Sequence, residues 1–304
     1  MEFYFRNGLA ESTQRAYNSA KRRYIHFCSI HNLSPIPSSE RQLCHYVSYL
    51  ALANLSHNTI KAYLSAVRHL HIAEQAADPG ISKMPRLEQV LRGVKYMQAR
   101  GERKGKARLP ISIDILHKLR EAWQRKASRD SVMLWAAASL CFFGFFRSGE
   151  ITVPSESGYD KGAHLNFEDV TVDDLANPQV LQVRIKASKT DPFRTGVEVF
   201  VGRTRCSMCP VAAVLAYMVT RGAGPGPLFK FSNGKPLTRS RFVTEMKEAL
   251  EQVGVDSTCY SGHSFRSGAA ATAVKQGLGD ATIKMLGRWR SNAYQAYVNW
   301  NSAI

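Results

Sequence analysis

Arg147, His263, Arg266, Trp289 and Tyr297 carry the groups that phosphodiester cleavage demands: hydrogen-bond donors for the non-bridging oxygens and a hydroxyl nucleophile. Lys189 lies in a turn-forming run, and cleavage also needs a proton for the departing oxygen. Arg147 follows an apolar stretch in Phe145-Phe146-Arg147-Ser148-Gly149-Glu150, where a guanidinium needs either an ion pair, with Glu150 as the partner at hand, or an anion. His263 and Arg266 stand three apart in Gly262-His263-Ser264-Phe265-Arg266-Ser267-Gly268 and share one face at a helix start, a place that already favours anions. A capping histidine beside a surface arginine would give the same spacing. One helix later comes Leu286-Gly287-Arg288-Trp289-Arg290-Ser291, followed by Tyr294 and Tyr297, and packing alone would account for either tyrosine.

The elements that must position these residues follow from periodicity. Helical spacing predicts helices over 113–124 and 131–145 and again over 211–220, 239–253, 264–276, 281–286 and 292–300. Residues 180–187 and 197–201 alternate apolar and polar, and Ser188-Lys189-Thr190-Asp191-Pro192 between them turns the chain, so a β-hairpin should hold Lys189 near its tip. Residues 12–100 read as helices only. Ser12, Ser39 and Ser56 are candidate N-caps for three of them, and Pro85 opens a fourth. Between Arg100 and Pro110 the pattern stops in a stretch rich in Arg, Lys and Gly. The expectation is a mainly α chain of α+β class. A four-helix domain covers 1–100, a basic linker 101–110, and a mixed, mostly helical domain with a small antiparallel sheet 111–304.

Charge narrows the partners. Lys and Arg outnumber Asp and Glu by 41 to 24, a formal +17, and residues 1–110 alone hold 17 against 7, so both halves suit a polyanion. No run of 18 apolar residues exists; the longest candidate, Val132 to Phe146, ends in Arg147 and reads as a buried helix, which argues against a membrane partner. The N-terminus shows no signal-peptide pattern. The six cysteines sit mostly in apolar helical patterns, as free thiols of a reducing interior do. Cys206-Ser-Met-Cys209 has the spacing of half a zinc site, but the sequence has no second pair to complete it. A tight turn into a helix at Pro210 is the better reading.

Taken in order, Arg147 with Glu150, Lys189, His263-x-x-Arg266, Gly287-Arg288-Trp289 and Tyr297 resemble the catalytic set of the tyrosine recombinase, or phage integrase, family. The helical N-terminal half resembles that family's core-binding domain, so the likeness covers nearly the whole chain. The segments around Lys189, Cys206 to Pro210 and Gly287 to Ala293 are similar to recombinases of eukaryotic mobile elements of the DIRS-like, Ngaro and Crypton kinds.

The resemblance implies site-specific cleavage and rejoining of double-stranded DNA, with no cofactor, by a homotetramer on paired sites, for integration or excision of a mobile element. It implies that Arg147 and Arg266 clamp the phosphate and that His263 and Trp289 bond its oxygens. Glu150 orients its neighbours, and Lys189 protonates the 5'-oxygen, with Lys186 as a competitor. Tyr297, eight residues after Trp289, forms the 3'-phosphotyrosine, leaving Tyr294 to pack. Candidate DNA contacts are Thr13, Tyr17, Lys61 and Arg68 on the N-terminal helices and Arg103, Lys104, Arg108 and Lys106 in the linker, which would join the two domains into a clamp around the duplex. Only Val298 to Ile304 follow Tyr297, so a C-terminal contact to a neighbouring protomer is expected to be short, made elsewhere, or absent from a fragment. The expected compartment is the nucleus in a eukaryote and otherwise the nucleoid. The alternatives are a type IB topoisomerase-like enzyme and a DNA-binding protein that has lost strand exchange.

Overall fold

The computed structural model describes residues 2–101, 108–188, 191 and 193–295. They fall into two compact units, 1–105 and 106–304.

The first unit is helical throughout: α1 (Glu2–Asn7), α2 (Glu11–Ile30), α3 (Glu40–Leu52), α4 (His57–Ala73) and α5 (Pro85–Arg100). Ser39 and Ser56 cap as the sequence suggests, accepting from the backbone N–H of Gln42 and Thr59, both at 3.2 Å. The third expected cap fails. Helix α2 begins one residue before Ser12, with Ala10 at the cap position and Glu11 complementing the helix dipole. The additional helix α1 precedes the four that periodicity predicts.

Tyr24, Phe27, Leu43, Tyr46, Leu50, Ile60, Leu64 and Val67 form this unit's core, each burial contributing about 1.5–3 kcal/mol for a side chain of Val or Leu size. His71, on the same stripe, is fully buried and satisfied. Its Nε2 accepts from the Ser38 N–H at 3.0 Å while Nδ1 faces the Val67 carbonyl at 3.0 Å, which together select the Nδ1–H tautomer.

The second unit contains α6 (Ile113–Lys126), α7 (Arg129–Phe143), α8 (Ser148–Ile151), β1 (Val170–Val172), β2 (Val180–Ile185), β3 (Val197–Gly202), α9 (Pro210–Arg221), α10 (Arg239–Gln252), α11 (Ser264–Lys275) and α12 (Asp280–Leu286). Helix α7 is apolar nearly all round because it is central, packed against α6, α9 and α11. Where α11 approaches the chain entering α6, Gly268 leaves room: a Cβ there would fall on the Ile111 carbonyl oxygen.

The sheet runs β1-β2-β3, antiparallel, with Val170 opposite Val183 and Ile185 opposite Val197. The predicted hairpin is therefore β2–β3. Strand β1, three residues long, carries too little alternation to be read from sequence. The Cys206–Cys209 turn leads into α9 as expected: the buried Cys209 thiol accepts from the Ala212 N–H at 3.5 Å and Pro210 takes the first helical position. No helix among the described residues is long and apolar enough to cross a membrane.

Candidate active site

The site is built on the turn that ends α7. Gly144 terminates the helix, and Phe145 adopts a left-handed φ of 52° that buries Phe146 and presents Arg147 as the N-cap of α8. A bulky residue rarely takes this conformation, which costs on the order of 1–3 kcal/mol and persists only where the surroundings over-determine it. Glu150, its side chain 4% exposed, folds back on the turn. One carboxylate oxygen accepts from the Arg147 backbone N–H at 2.8 Å and the other from Arg147 Nη1 at 2.6 Å. The ion pair read from the sequence is thus present. It engages Nη1, and about a fifth of the Arg147 side chain (20%) stays open to solvent.

Arg266 projects from the first turn of α11 and is 2% exposed. Its Nη1 donates to the Phe145 carbonyl at 3.0 Å, its Nη2 donates to the Gly287 carbonyl, and its guanidinium lies over the Trp289 ring, 4.5 Å from the centroid. In this conformation two of its donors face the protein's own carbonyls. His263, exposed, stands at the N-cap of the same helix, one turn from Arg266. Gly287 allows Trp289 to fold back over Arg266, since a Cβ at 287 would fall inside the indole ring.

Arg288 is the residue that sequence reasoning quoted within a motif and left without a role. Its Nη2 donates to Glu150 Oε2 at 2.9 Å and to the Phe145 carbonyl at 3.2 Å, and its Nη1 to the Gly144 carbonyl at 3.2 Å. Burial lowers its pKa and Arg147 adds to that, while Glu150 opposes both. A guanidinium stays charged through such shifts. Two guanidiniums, Arg147 and Arg288, therefore share one carboxylate, and that of Arg266 joins Arg288 on the Phe145 carbonyl, an excess of positive charge that suits an anion. The signal available in the sequence was the run of two arginines around Trp289.

Of the two lysines considered as proton donors, Lys186 is engaged: its Nζ pairs with Asp169 at 2.7 Å and donates to the Lys161 carbonyl at 3.0 Å, with 20% of its side chain exposed. The alternative donor of the sequence reading is thus held by a carboxylate. Lys189 itself lies outside the described residues, as do Tyr297, Arg103, Lys104 and Lys106. The hairpin turn beside Lys189 is nonetheless anchored. Asp191 accepts from the Gly196 N–H at 2.8 Å and from Thr195 at 3.0 Å, and these bonds, with Arg290 nearby, hold its carboxyl below the usual range.

Tyr294 is buried, at 4% exposure, among Phe145, Ala269, Ala270, Ala273 and Ile283, its ring 5.9 Å from that of Trp289. Burial and the Asp280 carboxylate push its hydroxyl above the ordinary tyrosine range.

Among the proposed DNA contacts, Thr13 and Tyr17 lie on α2 and Lys61 and Arg68 on α4, two helices that pack together. Lys61 is exposed. Arg68 is exposed but paired with Asp78 at 2.7 Å, and Tyr17 packs its ring 5.5 Å from His69. Arg108 is exposed, and its Nη1 donates to the Thr258 and Tyr260 carbonyls at 3.1 and 3.4 Å, bracing the segment before α11.

No family model matches the chain. In sequence it is 24% identical over 300 residues to the integrase/recombinase xerD homolog of Selenomonas ruminantium, covering 93% of this chain and 79% of that protein. In structure it is similar to the XerH site-specific recombinase bound to palindromic difH substrate in a post-cleavage complex, with a TM-score of 0.60 and 15% identity over 88% of this chain and 70% of that one. It is also similar to the Tn1549 transposon integrase in complex with circular intermediate DNA, at 0.60 and 11% over 96% and 90%. A lambda integrase dimer bound to a COC' core site scores 0.59 at 14%, over 98% and 75%. The fold is that of the tyrosine recombinases. Along nearly its whole length the chain is thus similar in sequence to an integrase/recombinase and in fold to the tyrosine recombinases.

Proposed function

We propose that this protein is a site-specific DNA recombinase that cleaves and rejoins duplex DNA through a 3'-phosphotyrosine on Tyr297. The observation that carries the reading is the meeting of three arginines from three separate segments at the turn after α7, Arg147 and Arg288 on the one buried Glu150 carboxylate and Arg266 and Arg288 on the Phe145 carbonyl, which leaves positive charge in excess where a phosphate is to be held. Arg147, with its partly exposed guanidinium, and Arg266, once its donors turn from the Phe145 and Gly287 carbonyls, bind the non-bridging oxygens. His263 and Trp289 add hydrogen bonds, Trp289 through a donor that cannot carry away a proton. As the Tyr297 oxygen bonds to phosphorus, the bond to the 5'-oxygen breaks, and Lys189 supplies the proton that oxygen needs. Bond energy is conserved in the phosphotyrosine, so rejoining requires no nucleotide.

Double-stranded DNA is the partner, gripped by both basic halves, and a homotetramer on paired sites carries out integration or excision of a mobile element, in the nucleus or nucleoid. Affiliation with eukaryotic mobile elements is supported by the sequence segments around Lys189, Cys206 and Gly287. A type IB topoisomerase-like enzyme would relax supercoils without pairing two sites, and a silent DNA-binding protein would form no covalent adduct.

The test is a nicked suicide duplex drawn from the sequence that flanks the gene. The expected result is a covalent protein–DNA adduct that Arg147→Ala and Arg266→Ala reduce by orders of magnitude, about 100-fold or more, at nearly unchanged DNA affinity. Normal cleavage by both variants would make the arginines structural only.

A further inference from the structure

We propose that Arg288 is a positioning residue of the cleavage site, holding Trp289 and Arg266 in register with Arg147 without touching the phosphate itself. The proposal rests on the strand-cleavage reading above and concerns a residue to which that reading gives no task.

The side chain spans the site from within. Its guanidinium reaches the Gly144 and Phe145 carbonyls and Glu150 Oε2, with the Phe146 ring 5.1 Å from its centre, so all four partners belong to the turn that presents Arg147. Its backbone lies between Gly287, whose carbonyl accepts from Arg266, and Trp289, whose ring covers Arg266. One residue thus joins the segment bearing Arg147 to the segment bearing Trp289, and Arg266 is enclosed between them.

Backbone conformation points the same way. Arg288 has a φ of 53° and Phe145 a φ of 52°, both left-handed and neither a glycine. The two are bonded to each other through Arg288 Nη2 and the Phe145 carbonyl. Such conformations persist where neighbours over-determine them, and a tether between the two supplies that determination. A lysine cannot replace it. One ammonium is a point charge, whereas the planar fork addresses a carboxylate and two carbonyls at once.

The experiment uses the full chain labelled with 5-fluorotryptophan, the Trp289 resonance being identified with Trp289→Phe. In Arg288→Ala the Trp289 signal should move while those of Trp123 and Trp135 stay. Adduct formation on the nicked duplex at saturating DNA should fall about 100-fold, the scale of a misplacement near 1 Å, with DNA affinity changed less than about threefold. Arg288→Lys should lie between in both readouts. An unmoved Trp289 signal overturns the proposal, and so does an adduct loss matched by equal loss of DNA affinity, which would make Arg288 a direct DNA contact. Should Arg288→Ala fail to fold, Arg288→Lys decides: wild-type signal and rate overturn the role. If the wild-type chain itself forms no adduct, strand cleavage fails as a function, and the Trp289 signal alone supports or overturns the positioning role.

Discussion

Arg266 and Arg288 donate to the same oxygen, the carbonyl of Phe145, at 3.0 and 3.2 Å. Like charges are brought this close only where acceptors compensate, and here the Phe145 and Gly287 carbonyls and Glu150 do so.

Glu150 is the only carboxylate bonded to this cluster among the described residues, so removing it leaves Arg147 and Arg288 partly buried and unpaired. Glu150→Ala should destabilise the second unit by about 3–5 kcal/mol, the range for breaking a buried pair from one side. Urea unfolding followed by circular dichroism reads the loss. A midpoint equal to wild type would mean that solvent already screens the cluster.

Tyr294 and Tyr297 separate packing from chemistry. Tyr294→Phe keeps the ring that packs against Ala269, Ala273 and Ile283, so adduct formation should persist. Tyr297→Phe should bind DNA and form no adduct. Trapping on the suicide duplex reports both, and the opposite pattern reassigns the nucleophile.

The two lysines should divide in the same way. Lys189→Ala should abolish cleavage of an ordinary duplex, and a 5'-bridging phosphorothiolate should restore it, because a thiolate leaves without a proton. Lys186→Met should instead leave cleavage intact and lower stability by about 3 kcal/mol, since it strands the buried Asp169 carboxylate. Sulfur rescue of Lys186→Met in place of Lys189→Ala would reverse the assignment.

Gly287→Ala and Gly149→Ala form a matched pair within the site. A methyl at 287 collides with the Trp289 ring, whereas one at 149 meets nothing within 4 Å. The first should cut adduct formation by about 10- to 100-fold and the second should be near neutral. Equal rates for the two variants would show that the placement of Trp289 over Arg266 does not matter.

DNA affinity should fall steeply with salt, and the slope distinguishes individual cations. Replacing Lys61 by Ala should reduce it by about one, as for a lysine that neutralises a phosphate. Arg68→Ala should change it less because Asp78 already pairs with that guanidinium, and Arg108→Ala should act mainly through stability. Titrations by fluorescence anisotropy across salt concentrations supply the slopes, and identical slopes for all three variants would contradict these assignments.

The sequence by itself determined most of the helices, though not the short α1 and α8, and the order of the chemical residues. Helix periodicity, serine caps at 39 and 56 and proline at 85 and 210 are local signals, each written within a few residues of the element it defines. The hairpin that carries Lys189 and the assignment of Tyr294 to packing rest on equally short segments. Tertiary structure decided the rest, because those contacts join residues far apart in the chain. Glu150 meets Arg288 across 138 positions and Arg266 meets Phe145 across 121, and no local pattern encodes either. The same reason explains why the sequence does not show that Lys186 pairs with Asp169 or that Arg108 donates to the Thr258 and Tyr260 carbonyls. A charged side chain announces its charge in the sequence, while the partner that neutralises it is chosen only when distant segments pack together.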